Sequence, residues 1–128
     1  MSYYFSKRIN GTFDEALTRT IDELKKEGFG VLTEIDVKAT MKAKLNAEFR
    51  NYKILGACNP PYAYKALTVE DKIGTMLPCN VIVQELASGQ IEVAAVDPIA
   101  SMRAVQNPEL AHLALEVQAK LKKVVESI

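Results

Sequence analysis

Two alternating runs, Cys79 to Leu86 and Ile91 to Val96, flank the short connection Ala87-Ser88-Gly89-Gln90, and this restricts the fold more than any other feature. Alternation at period two marks half-buried strands, and a four-residue connection containing glycine predicts an antiparallel hairpin. A parallel doubly wound sheet needs a helix at every crossover, so the hairpin removes one of the crossovers that such a sheet requires.

The remaining elements follow from hydrophobic period and local stop signals. Tyr3 to Ile9 alternates and reads as a first strand. Thr12 and Glu15 are spaced as a capping box, Phe13, Leu17, Ile21 and Leu24 recur at helical spacing, and Gly28 supplies the stop. Phe29 to Ile35 reads as a second strand, and Asp36 as the cap of a helix with apolar positions Val37, Met41 and Leu45. A third strand runs from Tyr52 to Cys58. Asn59 before Pro60 and Pro61 then predicts an N-cap with proline at the first helical position, opening a short helix that ends near Gly74 and buries Ala63, Ala66 and Leu67. Asp97-Pro98 and Asn107-Pro108 repeat the device, first for a turn or two and then for a long helix with a stripe of Leu110, Leu113, Val117, Leu121 and Val124. The prediction is an α+β two-layer domain over residues 1–128, a mainly antiparallel five-stranded sheet with helices on one face. Its order is β-α-β-β-β-β-α with two short inserted helices.

Bulk composition bounds the function. A chain of 128 residues at 48% hydrophobic is long enough for one sizeable core without metal or disulfide staples. Sixteen basic residues balance sixteen acidic ones, which argues against general affinity for nucleic acid or a membrane surface. The first residues lack the basic start and apolar stretch of a signal peptide, and no apolar run approaches spanning length. A cytoplasmic location is therefore expected, with Cys58 and Cys79 as reduced thiols.

Those two cysteines sit in near-identical wrappings, Leu55-Gly56-Ala57-Cys58-Asn59-Pro60-Pro61 and Met76-Leu77-Pro78-Cys79-Asn80-Val81. Together with Asp36-Val37-Lys38-Ala39-Thr40-Met41-Lys42, Ala63, Ala66-Leu67, Asp97-Pro98 and Met102, they resemble the domain-of-unknown-function 302 family over nearly the whole chain. The resemblance implies a compact fold related to the TATA-binding-protein-like class, a stand-alone or fused domain of bacteria and archaea, and a frequent dimer. It implies no activity.

The chemistry rests on the residues themselves. At the mouth of a capped helix, Cys58 would meet free amide groups and a dipole that favour a thiolate; as the end of a buried strand it would be a small apolar residue. Cys79 admits the same two readings with less dipole support. If the third and fourth strands are neighbours, the two thiols come together at one sheet edge.

Only Cys58, Cys79 and His112 offer zinc-type ligands, too few for a structural zinc site within one chain. Haem, with fewer axial ligands, escapes that count, although Met41, Met76 and Met102 read more simply as core. His112 falls off the apolar stripe, on a solvated face. Lys38 and Lys42 are a like-charge pair at i,i+4. They read as a solvated face or as an anion site, oriented by Asn59 and Asn80 and walled by Tyr62 and Tyr64.

No nucleophile elbow, glycine-rich phosphate loop or HExxH is present. The reading is therefore a non-enzymatic module that binds a small ligand, an anion among the candidates, or a protein, in a cleft near Cys58, Asn59, Cys79 and Asn80. The alternative is a thiol-based protein that is redox-active, carries sulfur, or binds a soft metal or haem through Cys58. Tyr3, Tyr4 and Met76, apolar but outside the helical stripes, add to the family resemblance in predicting a homodimer.

Overall fold

The computed structural model describes residues 2–128. Strands β1 (Tyr4–Ile9), β2 (Gly30–Asp36), β3 (Tyr52–Cys58), β4 (Cys79–Glu85) and β5 (Ile91–Val96) form one antiparallel sheet in the order β1-β5-β4-β3-β2. The helices are α1 (Phe13–Lys26), α2 (Val37–Leu45), α3 (Pro60–Val69), α4 (Pro98–Ser101) and α5 (Pro108–Glu126), with a 3-10 turn at Asp71–Met76 after α3. This is the α+β architecture that the hairpin and the periodicities predict.

Strand alternation assigns the two faces of the sheet. Leu55, Ala57, Cys79, Val81, Val83, Ile91, Val93 and Ala95 point to one side, where α1 and α5 cover them with Ala16, Leu24, Val117, Leu121, Val124 and Val125. Fully burying a side chain such as Leu55 or Leu121 contributes about 1.5–3 kcal/mol, so this layer dominates the fold's stability. A smaller cluster of Ala66, Ile73 and Leu110 lies under α3, the 3-10 turn and the start of α5.

Helix α1 connects the two edges of the sheet, β1 and β2. Its 14 residues extend about 21 Å, enough to cross four interstrand spacings of about 4.8 Å. Both ends are set locally. The Glu15 N–H donates to the Thr12 hydroxyl at 3.1 Å. At the other end Gly28, at φ +87, donates to the Lys25 carbonyl at 3.0 Å, and Phe29 donates to Leu24 at 2.9 Å. That is a Schellman stop, with Phe29 and Leu24 supplying its usual apolar contact in the core.

Helix α2 departs from expectation. Asp36 caps it, accepting from the Ala39 N–H at 2.9 Å, but Val37, Met41 and Leu45 form no core stripe: the helix has no buried residue and Leu45 is 70% exposed. Its main contacts are with β2 and β3. Helix α3 also differs. It ends at Val69, with Ala66 buried and Leu67 exposed, and the 3-10 turn carries the chain past Gly74. Met76 is exposed too, so it is not a core residue.

Asn107 does more than cap α5. Its side-chain oxygen accepts from the Glu109 N–H at 3.1 Å, while its amide donates to the Val69 carbonyl at 3.0 Å and to Glu70 at 3.3 Å. One side chain thus fixes the start of α5 and the end of α3. Asn107→Ala is expected to cost about 1–2 kcal/mol in urea denaturation, the loss of a cap together with a part-buried tie.

Candidate functional site: an apolar cavity at the ends of β3 and β4

Strands β3 and β4 pair with Ala57 opposite Cys79. The chain leaves β3 at Cys58, turns through Asn59 into α3, and returns through the 3-10 turn to enter β4 at Cys79. Between this excursion and α5 lies a cavity of about 310 Å³, at the small end of the range for ligand pockets. It separates the main core from the smaller cluster, with Phe29, Val117 and Cys79 on one side and Ala66 and Leu110 on the other. Its existence has a sequence cause: Ala57, Ala63, Ala66, Ala114 and Gly74 all line it, and such short side chains cannot fill the space between the elements that carry them.

Among the described residues no charged side chain lines this space, and its polar side chains are the two thiols, Asn59 and Tyr62. The Glu116 carboxylate beside the Tyr62 hydroxyl raises that phenol above its ordinary value.

Asn59 occupies the N-cap position of α3 but its side chain makes no capping bond. It is buried, and its amide nitrogen donates instead to the Glu27 carbonyl at 3.1 Å, at the end of α1. A Cβ added at Gly28 would lie 3.2 Å from that nitrogen, so the glycine both bends the chain and admits the amide. The helix mouth offers little to a thiolate. Pro60 and Pro61 have no N–H, and the Ala63 N–H is spent on the Asn59 carbonyl at 3.0 Å.

Both cysteines are free, Cys58 half-buried and Cys79 buried, and both line the cavity. Burial pushes the Cys79 thiol up to about 11, with a further contribution from the neighbouring Cys58. Cys79 is therefore a neutral thiol at physiological pH. Among the described residues no group of three or more His, Cys, Asp or Glu is placed to hold a metal ion.

The predicted grouping is met in part. Cys58, Asn59, Cys79 and Tyr62 share the cavity. Asn80 does not join them: one residue along the strand from Cys79, it points to the opposite face of the sheet, among Tyr4, Tyr52 and Ile82. Lys38 and Lys42 do not join them either. Helix α2 begins where Asp36 pairs with Lys53, five residues along β3 from the Gly30–Cys58 pair, about 16 Å away. There Lys38 borders a surface depression with Arg50 and Glu85, and Lys42 binds Glu48 at 2.9 Å. Tyr64 is exposed, and so is His112, which lies 3.6 Å from Glu116. The cavity walls Phe29, Leu77, Leu113 and Val117 were not legible as a site. The one signal for them was the run of alanines on α3, which reads equally well as close packing.

The family described as "Domain of unknown function DUF302" matches residues 5–128. The chain belongs to this family. The crystal structure of an uncharacterized conserved DUF302 protein from Bacillus stearothermophilus superposes with a TM-score of 0.90 at 24% identity, over 98% of this chain and 98% of that one. At that identity the likeness establishes the DUF302 fold and nothing of the site. No curated protein matches the chain. Among the described residues no helix is long and apolar enough to cross a membrane.

The role of Asn59 distinguishes its substitutions. Asn59→Ala is expected to cost about 1–3 kcal/mol, because the Glu27 carbonyl loses its donor. Asn59→Asp is expected to cost at least as much, since it sets a carboxylate against that carbonyl at the negative end of α1. A capping acceptor would tolerate aspartate, so a neutral Asn59→Asp in urea denaturation would contradict this assignment.

Proposed function

We propose that this DUF302 domain is a non-enzymatic binding module that takes a small neutral, largely apolar ligand into the cavity between α3, α5 and the ends of β3 and β4. The observation that carries the reading is the cavity itself. It is built from short side chains where larger ones would close it, and a concave, mostly apolar pocket is the usual form of a small-molecule site. The lack of charge on its walls favours an uncharged ligand over the anion considered from Lys38 and Lys42, because burying an unpaired charge there would be costly. The Asn59 side-chain oxygen, whose amide nitrogen is the group spent on the Glu27 carbonyl, is the polar group available to orient one end of the ligand. The uncrosslinked thiols suit a reducing compartment such as the cytoplasm.

The test uses the neutral fluorophore N-phenyl-1-naphthylamine and the variant Ala114→Leu, which extends a side chain from α5 into the cavity. The wild-type protein is expected to bind the probe, and the variant to bind at least about tenfold more weakly, a loss of about 1.4 kcal/mol. The variant should also be as stable as wild type, or more stable by about 0.5–2 kcal/mol, as cavity-filling changes commonly are. Equal binding by both proteins would refute the cavity as the site.

A second reading concerns assembly and rests on the second face of the sheet. Ile35, Ile54, Ile82 and Ala94 are in register across β2, β3, β4 and β5, on the face opposite α1 and α5. Tyr3 and Tyr4 are exposed at the same face, at 69% and 43%. The proposed occupant is a second copy of the chain, packed face to face. Light scattering at tens of micromolar is expected to give twice the chain mass, and Ile82→Lys to give the monomer. A wild-type monomer at that concentration would refute the dimer.

A further inference from the structure

Cys58 and Cys79 lie 21 positions apart in sequence but line one cavity. Because Ala57 is directly opposite Cys79 in the β3–β4 ladder, the next residue, Cys58, has its Cα about 6 Å from that of Cys79. That is within the range from which two sulfurs can be bridged. Regular alternation would turn Cys58 to the far side of the sheet, but it is the last residue of β3, where the chain swings into α3, and it lines the same cavity as Cys79.

We propose that Cys58 and Cys79 form a two-thiol site that captures trivalent organoarsenicals, R–As(OH)₂, inside this cavity. In the capture two As–O bonds break and two As–S bonds form. Each thiol proton leaves with a hydroxide as water, and arsenic remains trivalent throughout. The product, R–As(S-Cys)₂, is neutral. Among the described residues no cationic side chain lines the cavity, so an ion such as Cu(I) would leave a net negative bis-thiolate between apolar walls, where charge is costly. The organic group R instead meets apolar walls that suit it. The ladder, which pairs the end of β3 with the start of β4 before binding, makes the second As–S bond an intramolecular step. The raised value of Cys79 fits a reaction that consumes protonated thiols rather than a stored dithiolate. This inference stands on the thiol pair and goes beyond the neutral-ligand reading.

The test incubates the full chain with phenylarsine oxide, which hydrates to the required species, and follows intact mass under native conditions while glutathione is added. Wild type is expected to retain one phenylarsenic with the loss of two thiol protons, and to resist glutathione at concentrations about a hundredfold above those that strip Cys58→Ser or Cys79→Ala, the usual scale of a chelate advantage. Cys79→Ala keeps the buried position apolar, and N-phenyl-1-naphthylamine binding by each variant reports that fold and cavity persist. Stripping of wild type as readily as of the single-cysteine variants would overturn the proposal. So would retention by a variant that lacks either thiol. Loss of probe binding by wild type together with tight arsenical retention would refute the neutral-ligand reading and leave this one standing.

Discussion

The hydrogen bond from the Asn59 amide to the Glu27 carbonyl is the constraint on which the rest of the site depends, because it ties together two chain reversals far apart in sequence. One is the Schellman turn that ends α1 at Gly28 and Phe29; the other is the turn from β3 into α3. The Glu27 carbonyl is one of the orphan acceptors at a helix end, and burying it unpaired would cost about 1–3 kcal/mol. Once the bond forms, the direction in which α3 leaves the sheet is set. Asn107 repeats the principle at the far end of α3, tying the Val69 carbonyl to the start of α5. Helix α3 is therefore held by its two ends and has little need to be held by its inner face.

That division of labour explains how a cavity survives in so small a domain. A helix docked only by hydrophobic burial must fill the space beneath it, since voids forfeit contacts on every side. Helix α3 instead presents Ala63 and Ala66 toward Ala114 of α5 and Ala57 of β3. Polar ties at the ends of α3 replace some of the stabilisation that larger side chains would give. The dense layer around Leu24, Leu55, Val81, Val93 and Leu121 carries the global stability without reference to the cavity. The fold thus separates the part that must be close-packed from the part that can remain open.

What the sequence made legible was local. The cap at Thr12, the stop at Gly28, the cap at Asp36 and the hairpin after Glu85 each depend on residues within a few positions, and each is present in the structure. The failures share a cause. Asn59 stands in the right position for a cap, but tertiary structure offers it a carbonyl 32 residues away, which no local pattern announces. Lys38 and Lys42 are close to Cys58 in sequence terms yet lie at the opposite end of β3, because β2 and β3 run antiparallel and α2 joins them at that end. Met41 and Leu45 have helical spacing, but α2 lies at the edge of the fold, where Met41 is only half-buried and Leu45 is exposed.

Asn80 is a different case, since the information needed was present. Adjacent residues of a strand face opposite sides, so Cys79 and Asn80 could not both line one cleft once β4 was recognised as a strand. Asn80 belongs to the other face, and that face has its own order. Where β3 and β4 pair, Gly56 lies opposite Asn80, and a Cβ there would collide with the Thr33 side chain and come within 2.8 Å of Pro78. The row beside it is Ile35, Ile54, Ile82 and Ala94, and the next holds Arg8, Glu92, Gln84 and Tyr52, linked by Gln84 to Glu92 at 2.8 Å and by Arg50 to Gln84 at 2.8 Å. An apolar stripe bordered by a hydrogen-bonded polar row resembles the core and rim of an interface. The cavity is formed on the opposite side of the same strands, so burying this face would leave its walls untouched. The dipeptide Cys79-Asn80 therefore contributes one side chain to each surface, and substitutions at the two positions should affect the two properties independently.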